Sequence, residues 1–394
     1  MAFGLSDRVK NIAPSPTLSI DTKTKAMIAD GLDVINLSVG EPDFGTPDIA
    51  CAAGKVAIDQ QFTKYTAVPG IVELRKKIAD QLATKGLRYT ADDILVSSGA
   101  KHSLYNAFMA LCNPGDEVIL PAPYWVSYPE MVRLAEAVPV MIPTDESTNF
   151  KITPAQLEAA ITPKTKVLLL NSPSNPTGSV YTPAELQALA DVVRKHEFYV
   201  ISDEIYDQLV YGVEQISIAS LGEDIQRRTI VINGFSKSYS MTGWRVGYLA
   251  ADRAIVKAMT SFQSHTTANP ASISQKAAVA ALDHRDEAMV PEFIWRRDYV
   301  LNRLSQMPYI TCATPTGAFY VFPNCSATFG KTYQNHPVQN CDDFASLLLE
   351  HANISLVPGS GFGAPNNFRI SYATSRENLA KAMDRLEAFL NELV

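Results

Sequence analysis

The chain has 394 residues, 46% of them hydrophobic, and a formal net charge of −7. A chain of this length can bury a large core and is expected to form more than one domain. The acidic balance argues against nucleic acid or an anionic membrane as a partner, because either would favour a basic surface. The five cysteines are scattered without a C-x-x-C pair, and neither a signal peptide nor a membrane span is recognisable. These features predict a cytoplasmic protein with reduced, buried thiols and no metal site.

The N-terminal segment, to about residue 48, is predicted to be irregular because it contains Pro14, Pro16, Pro42 and Pro47. An alternating apolar run over 34–39 leads into Gly40, which opens a Gly-Glu-Pro turn. Helical spacing of apolar residues predicts helices over 49–61 and 71–85. Tyr65 lies in the loop between these helices, where a tyrosine is ordinarily a packing residue.

From residue 94 onwards, short buried apolar runs alternate with helical spacing. Strands are predicted over 94–97, 117–120, 138–142, 166–170, 198–202, 229–233 and 246–251. Helices are predicted over 104–112, 126–136 and 183–195, the last with Thr182 as its N-cap. This alternation indicates a mostly parallel sheet covered by helices on both faces. Open sheets of this kind bind ligands at the carboxyl ends of their strands.

The remaining chain is predicted to contain five helices and three strands. The helices are expected over 255–262, 272–282, 292–307, 342–350 and 375–393, and the strands over 317–322, 354–357 and 368–372. We expect the helix over 292–307 to link a large domain, residues 48–290, to a small domain built from residues 1–47 and 291–394. Arg369 alternates with apolar neighbours in the last strand, where an arginine ordinarily forms an ion pair.

Several predicted strands are followed by side chains or turns that can bind a ligand. Gly99 and Ala100 open a helix after the first strand, and the free N–H groups of such a turn attract anions. Trp125, Asn175 and Asp203 follow later strands. Each of these residues could instead have a purely structural role. The tryptophan could pack in the core, the asparagine could form the turn of its Asn-Pro-Thr-Gly sequence, and the aspartate could cap the next helix. Glu204, next in the chain, is expected to be solvated.

The most specific signal is the stretch over 229–249, TIVINGFSKSYSMTGWRVGYL. Lys237 follows a buried strand in a loop of small and hydroxyl residues, and Arg245 lies eight positions later in Met-Thr-Gly-Trp-Arg-Val-Gly. A lysine in a loop is usually only solvated. This long run, however, resembles the lysine segment of the class I aminotransferases, the aspartate aminotransferase family.

The resemblance implies the type I pyridoxal-phosphate aminotransferase fold, an α/β fold with a mostly parallel central sheet in a large domain and a smaller α+β domain. It also implies that Lys237 forms a Schiff base with pyridoxal 5'-phosphate and transfers protons during the reaction. Asp203 would hold the ring nitrogen, because a protonated pyridine withdraws electrons from the substrate. Asn175 and Tyr206 would reach the phenolic oxygen of the cofactor, and Trp125 would lie against its ring.

The phosphate of the cofactor would be bound by Gly99, Ala100, Arg245 and Ser236. Ser236 is included because Gly234 stands where many family members have a serine. The resemblance further implies that Tyr65 donates its hydroxyl to the phosphate of the neighbouring subunit. The active protein would therefore be a homodimer with active sites at the interface.

For the amino-acid and 2-oxo-acid substrates, the resemblance implies that Arg369 binds the α-carboxylate in a site lined by Gly40, Trp125 and Asn175. Lys101 can meet a distal carboxylate, which favours aspartate with 2-oxoglutarate as acceptor. A solvated lysine at a helix start is the alternative. Relatives that use prephenate carry a basic residue where this chain has Ala13, although Lys10 is a candidate replacement.

Other functions stay open at this point. An aminotransferase of broader, aromatic or prephenate specificity and a carbon–sulfur β-lyase both fit the same fold and cofactor. A cofactor-binding regulator would need a DNA-binding domain, for which these residues leave no room. A nicotinamide dehydrogenase is disfavoured, because no G-x-G-x-x-G follows a predicted strand.

Overall fold

The protein is represented by a computed structural model that describes residues 4–13, 16–284 and 286–394. Its α-helices are α1 (Asp7–Lys10), α2 (Pro16–Ala29), α3 (Asp48–Asp59), α4 (Val72–Ala83), α5 (Ala100–Leu111), α6 (Ser127–Leu134), α7 (Pro154–Ala160), α8 (Pro183–Val193), α9 (Glu223–Arg228), α10 (Arg253–Ser264), α11 (Ser272–Ala281), α12 (Met289–Leu304), α13 (Cys341–His351) and α14 (Arg376–Asn391). Its strands are β1 (Ile35–Asn36), β2 (Ile94–Ser97), β3 (Glu117–Ala122), β4 (Val138–Pro143), β5 (Thr165–Asn171), β6 (Tyr199–Asp203), β7 (Thr229–Gly234), β8 (Gly247–Ala250), β9 (Tyr320–Val321), β10 (Thr332–Tyr333), β11 (His336–Pro337), β12 (Ile354–Ser355), β13 (Val357–Pro358) and β14 (Phe368–Ser371).

A seven-stranded sheet forms the centre of the fold, with the strand order β2-β8-β7-β6-β5-β3-β4. β8 is antiparallel to both of its neighbours, and every other neighbouring pair is parallel. Side chains alternate along each strand, so Ile230 and Ile232 pack into one buried apolar cluster and Val231 packs into another. The sheet is therefore covered on both faces, which confirms the predicted α/β fold with a mostly parallel sheet.

The prolines had led us to expect an irregular N-terminal segment, and this expectation was wrong. The segment contains the 14-residue helix α2, which begins at Pro16. Proline is favourable in the first position of a helix, because its missing N–H would be unpaired there and its φ angle already suits the helix. Pro16 therefore starts a helix, whereas Pro14 lies outside the described residues.

The strands of the C-terminal part are shorter than predicted. The run over 354–357 divides into β12, which pairs with β1 in parallel, and β13, which pairs with β14 antiparallel. Only two residues of the run over 317–322 form a strand, β9, on the other edge of β14. These short pairings join the N-terminal segment to the C-terminal part, in keeping with the predicted small domain. The domain boundaries stay a prediction.

Other predictions about local structure had mixed outcomes. Thr182 caps α8 as expected, with its side chain accepting from the Glu185 N–H in a capping box. Three short helices, α1, α7 and α9, were not predicted. Of the cysteines, only Cys325 and Cys341 are buried, whereas the other three are half-buried, and all five are free. Among the described residues, no helix combines the length and the apolar character needed to cross a membrane.

Candidate active site

A cavity of about 650 Å³ lies at the carboxyl edge of the central sheet. Parallel pairing brings these strand ends together, since Asn171 is opposite Asp203, and Asp203 is opposite Ile232. The predicted site residues that line the cavity are Gly40, Ala100, Lys101, Trp125, Asn175, Asp203, Tyr206, Lys237, Arg245 and Arg369. Residues that are more than 300 positions apart in the sequence therefore meet in one site.

Lys237 lies in the loop after β7, and its amine donates a hydrogen bond to the Gly40 carbonyl oxygen. Burial lowers the pKa of Lys237 to about 8. The positive charges of Arg369 and Arg245 lower the pKa of Lys237 further, whereas Glu41 opposes the shift. An amine with this pKa has a substantial neutral fraction near physiological pH, which both covalent bonding and proton transfer require.

Asp203 ends β6 and is 3% exposed. Its Oδ2 accepts a hydrogen bond from the Tyr128 hydroxyl at 2.7 Å, and its Oδ1 accepts from the Ile205 N–H at 3.2 Å. Burial raises the pKa of Asp203 to about 6, against the effect of these hydrogen bonds and of Lys237. A buried carboxylate with few partners is well suited to bind a cationic group.

Arg369 is 2% exposed on β14 and is held from two sides. Its Nη1 donates to Asn175 Oδ1 at 2.9 Å, and its Nη2 donates to the Ser38 carbonyl oxygen at 2.6 Å. Its Nε is buried and has no hydrogen-bond partner among the described residues. A buried guanidinium N–H without a hydrogen-bond partner destabilises the fold. A carboxylate bound to Arg369 would supply the missing partner.

Tyr206 follows β6 and is buried next to a second phenol, Tyr320. The two hydroxyl oxygens are 2.9 Å apart, and the Arg369 guanidinium carbon lies 4.6 Å from the centre of the Tyr320 ring. Burial raises the pKa of Tyr206 well above its usual value. Both hydroxyl groups are therefore neutral and available as hydrogen-bond donors.

The turn between β2 and α5 is closely covered by Arg245. Gly99 has φ +83°, and a Cβ atom built on it would lie 2.3 Å from Arg245 Nη2. Arg245 also donates to the Ser98 carbonyl oxygen at 3.3 Å. No side chain caps the N-terminus of α5. The structure therefore brings the helix N-terminus and the arginine together, and their binding of an anion stays a prediction.

Trp125 and Lys101 lie together in the cavity. The Lys101 amine is 4.7 Å from the centre of the indole ring, and Trp125 packs edge-on against Tyr128. Burial lowers the pKa of Lys101, and Arg245 adds to this effect. The Lys101 side chain is exposed, yet it lines the cavity together with Arg369 and Arg245, so its contact with a distal carboxylate stays a prediction.

Three predicted cofactor ligands do not line the cavity: Gly99, Ser236 and Tyr65. Gly99 nevertheless lies next to the cavity, because Arg245, which lines the cavity, lies directly over it. Ser236 is buried, and its role stays a prediction. Gly234 has no room for the serine of other family members, because a Cβ atom there would lie 2.9 Å from Gly247 Cα. Tyr65 is 92% exposed in the single chain.

Glu204 is buried, so the expectation that it is solvated was wrong. It is 2% exposed and accepts a hydrogen bond from Ser202 Oγ at 2.7 Å and another from Ser217 Oγ. Burial raises the pKa of Glu204 to about 7. Side chains alternate near the end of β6, so Asp203 faces the cavity while Glu204 enters the core on the other face.

Sequence reasoning missed several residues of the site. Tyr128 lies on α6, three positions after Trp125, which precedes the helix, and its N–H donates to the Trp125 carbonyl oxygen at 2.9 Å. Asp21 and Lys25 of α2 also line the cavity, where they form an ion pair of 2.7 Å. Because the N-terminal segment was expected to be irregular, no helix was predicted to cover the site.

The cavity fits the cofactor that the resemblance implies. Lys237 supplies an amine, Asp203 a buried carboxylate for a ring nitrogen, and Tyr206 a phenol for an oxygen. The α5 N-terminus with Arg245 supplies an anion site, and the unpaired Nε of Arg369 supplies a place for a carboxylate. All of these groups line or border one cavity, so the donor set matches pyridoxal phosphate together with an amino acid.

Comparisons with known proteins agree with this geometry. The family model described as aminotransferase class I and II matches residues 32–386. The chain is 47% identical to an aspartate aminotransferase of Geobacillus stearothermophilus, over 98% of each chain. It is also 47% identical to an aspartate/prephenate aminotransferase of Cereibacter sphaeroides, over 99% of each. The crystal structure of the aspartate aminotransferase from Rhizobium meliloti superimposes with a TM-score of 0.96 at 42% identity, over 100% of each chain.

Proposed function

Because the chain belongs to the aminotransferase class I and II family, we propose that it transfers the amino group of L-aspartate to 2-oxoglutarate. It is an aminotransferase that depends on pyridoxal 5'-phosphate and acts on amino acids and 2-oxo acids. The observation that carries the assignment to a dicarboxylic substrate is the pair of cations, Arg369 and Lys101, in one cavity. The names of the relatives support the same substrate.

In this proposal the cofactor is held by residues of four strand ends. Lys237 binds it covalently, Asp203 holds the ring nitrogen, and Asn175 and Tyr206 reach the phenolic oxygen. The α5 N-terminus and Arg245 bind the phosphate. When bound, pyridoxal phosphate supplies an electron sink that weakens the bonds to the substrate's α-carbon.

Lys237 is the proposed proton carrier. Once its amine is free, Nζ would remove the proton from the substrate's α-carbon as a general base and would hold it as a general acid. A pKa of about 8 leaves part of this amine neutral at pH 7 to 8, which a general base requires. The Gly40 carbonyl oxygen, which accepts a hydrogen bond from the amine, keeps it at the cavity wall.

Arg369 is the proposed binding residue for the α-carboxylate. Asn175 and Ser38 fix its guanidinium, and its unpaired Nε is free to donate to the substrate. Fixing the carboxylate fixes the direction of the α-carbon bond that breaks. Lys101, next to the indole of Trp125, would then meet the distal carboxylate.

Prephenate is a second candidate substrate, because one relative of equal identity is named an aspartate/prephenate aminotransferase. Ala13, which stands where prephenate-using relatives have a basic residue, donates its N–H to Glu130 Oε2 at 3.2 Å. The neighbouring Pro14 and Ser15 lie outside the described residues. Lys10, the candidate replacement, is not part of the cavity lining and pairs with Asp7 at 3.0 Å.

We also propose that the protein is a homodimer in which the partner subunit's Tyr65 completes the phosphate site. Tyr65 is 92% exposed, and exposed apolar side chains lie close to it in the sequence: Ile49, Val56, Ile58 and Val72. Apolar side chains that are exposed in a single chain commonly mark an interface. The scattered free cysteines support a cytoplasmic location, which stays a proposal.

The function is tested by mixing the purified protein, loaded with pyridoxal phosphate, with single amino acids and following the absorbance of the bound cofactor. Aspartate and glutamate should change this absorbance fastest. Lys101→Ala should lower kcat/KM for aspartate by about tenfold or more, since a lost charged hydrogen bond costs about 1.5–3 kcal/mol. For alanine, which has no distal carboxylate, the change should be small.

The matched control is Lys166→Ala. Lys166 also lies over an aromatic ring, 5.6 Å from the centre of Tyr199, but outside the cavity. Equal losses for aspartate and alanine in Lys101→Ala would contradict the role of Lys101. Pyruvate release without an acceptor would instead identify a β-lyase, and amino transfer to prephenate would identify the broader specificity. Undiminished transamination by Lys237→Ala would refute the mechanism.

A further inference from the structure

Tyr320 connects three parts of the site, although no role was predicted for it from the sequence. It is fully buried on β9 and lines the cavity. Its hydroxyl oxygen is 2.9 Å from that of Tyr206, and its ring faces the Arg369 guanidinium at 4.6 Å. A Cβ atom built on Gly40 would lie 3.0 Å from the Tyr320 hydroxyl. The absence of a side chain at Gly40 therefore leaves room for this hydroxyl.

The two phenols can share only one hydrogen bond, so the direction of that bond matters. Each hydroxyl has one hydrogen, and the acceptor keeps its own hydrogen for another partner. Burial raises the pKa of Tyr320, but the positive charge of Arg369 lowers it. Burial also raises the pKa of Tyr206 well above its usual value, and Tyr320 raises it further. Arg369 also lowers the pKa of Tyr206, but its guanidinium lies over the ring of Tyr320, 4.6 Å from the ring centre, so it polarises the Tyr320 hydroxyl more directly and favours Tyr320 as the donor.

We propose that Tyr320 is a positioning residue that donates its hydroxyl hydrogen to Tyr206 and so leaves the hydrogen of Tyr206 directed at the cofactor's phenolic oxygen. This inference rests on the proposed function, in which Tyr206 binds that oxygen. Without Tyr320, the Tyr206 hydrogen would be free to rotate within the cavity, and its bond to the cofactor would lose preorganisation. Arg369 has two effects in this arrangement, since it binds the substrate and polarises Tyr320.

The test uses Tyr320→Phe, Tyr206→Phe and the double variant. Tyr320→Phe removes only the hydroxyl and keeps the ring that faces Arg369, so the KM for aspartate should stay within about twofold. The main readout is the pH midpoint at which the absorbance of the bound cofactor changes, with the affinity for pyridoxal phosphate as a second readout. We expect Tyr206→Phe to raise the midpoint by about one unit and Tyr320→Phe by about half a unit.

The double variant decides the question. If Tyr320 acts through Tyr206, adding Tyr320→Phe to Tyr206→Phe should cause no further shift of the midpoint. Tyr372→Phe is the matched control, because Tyr372 is also fully buried and its hydroxyl donates to the Ala318 carbonyl oxygen, outside the cavity. It should leave the midpoint unchanged.

Other outcomes overturn the inference in distinguishable ways. Additive shifts would show that Tyr320 acts independently of Tyr206, and an unshifted midpoint in Tyr320→Phe would show that its hydroxyl does not act on the cofactor. An unshifted midpoint in Tyr206→Phe would overturn both the inference and the proposed role of Tyr206. A wild-type protein that fails to transaminate, yet shows the non-additive shifts, would overturn the proposed function and leave the inference supported.

Discussion

Asp203 is the residue at which burial and charge oppose each other most directly. Its carboxylate is almost completely buried, and within the described part of the chain it accepts hydrogen bonds from two neutral donors, the Tyr128 hydroxyl and the Ile205 N–H. Burial therefore raises its pKa to about 6. Burying this carboxylate without a cationic partner is unfavourable. A positively charged ring nitrogen would supply that partner, so the ion pair would contribute to the binding of the cofactor.

This pKa predicts how cofactor binding depends on pH. Since the pKa of Asp203 is raised, its carboxyl group is neutral below about pH 6 in the cofactor-free protein and ionised above it. Only the ionised form binds a protonated ring nitrogen. The affinity for pyridoxal phosphate should therefore fall by up to about tenfold for each pH unit below 6. Absorbance titrations with pyridoxal phosphate between pH 5 and 8 would measure this affinity.

The control is Asp203→Asn, which cannot ionise and still offers Tyr128 an oxygen as acceptor. Its affinity should be weaker at pH 8 and should show only the pH dependence that arises from the cofactor and from other groups such as Lys237. Parallel curves for the wild type and Asp203→Asn would contradict the assignment of this titration to Asp203.

At the scale of secondary structure, the turn from β2 into α5 defines the anion site. The antiparallel strand β8 places Gly247 opposite Ser97, and Arg245 precedes this strand. The guanidinium of Arg245 thus lies directly over Gly99, in space that a Cβ atom would fill. In the proposed function, the helix N-terminus, the turn and the arginine would together bind the phosphate.

Gly99→Ala should therefore weaken the binding of pyridoxal phosphate by about tenfold or more, because its Cβ atom would displace the Arg245 guanidinium and its phosphate contact. Gly99 has φ +83° and ψ 161°, a conformation that is almost restricted to glycine, so the substitution adds backbone strain of about 1–3 kcal/mol and should lower the free energy of unfolding. Absorbance titration measures the first effect, and denaturant unfolding of the cofactor-free protein measures the second.

Gly86→Ala separates these two effects. Gly86 has a similar φ of +77°, but a Cβ atom there would meet no heavy atom within 4 Å. This variant should lose comparable stability and keep its affinity for pyridoxal phosphate. If both variants lost affinity equally, backbone strain would explain the result, and the role of the turn in binding phosphate would be wrong.

At the scale of the whole molecule, a single chain leaves the proposed phosphate site without one ligand. Tyr65 lies in the loop between α3 and α4, is 92% exposed and does not line the cavity of its own chain. In the proposed twofold dimer, the same loop of each subunit would contribute Tyr65 to the site of the other, because both subunits use the same surface. Activity would then depend on assembly as well as on folding.

Subunit exchange tests this arrangement. At limiting pyridoxal phosphate, Tyr65→Phe should have low activity and Lys237→Ala should have none. In a mixed dimer, the subunit that carries Tyr65→Phe keeps its Lys237 and receives an intact Tyr65 from the Lys237→Ala subunit. An equal mixture should therefore recover about a quarter of the wild-type activity, since about half of the dimers are mixed and each has one complete site.

Mixing either variant with wild-type protein under the same conditions controls for subunit exchange itself. Activity no higher than the sum of the two separate variants would contradict a role for Tyr65 across an interface. Sedimentation at the assay concentration would show directly whether the protein is a dimer.

The sequence by itself predicted the seven strands of the central sheet and identified the segment around Lys237, but it did not predict the order of the strands in the sheet. Periodicity and turn residues act over a few positions, so they are visible without a structure. The run of residues after β7 is also long enough to resemble one family. Ten of the predicted site residues consequently line one cavity.

Only the tertiary structure decided which groups meet. Tyr128 reaches Asp203 across 75 positions, and Tyr320 reaches Tyr206 across 114. The burial of Glu204 depends on the face of the sheet that it occupies, and α2 covers the site although the prolines of the N-terminal segment had indicated an irregular structure. Contacts of this kind depend on long-range packing, which local sequence patterns do not record.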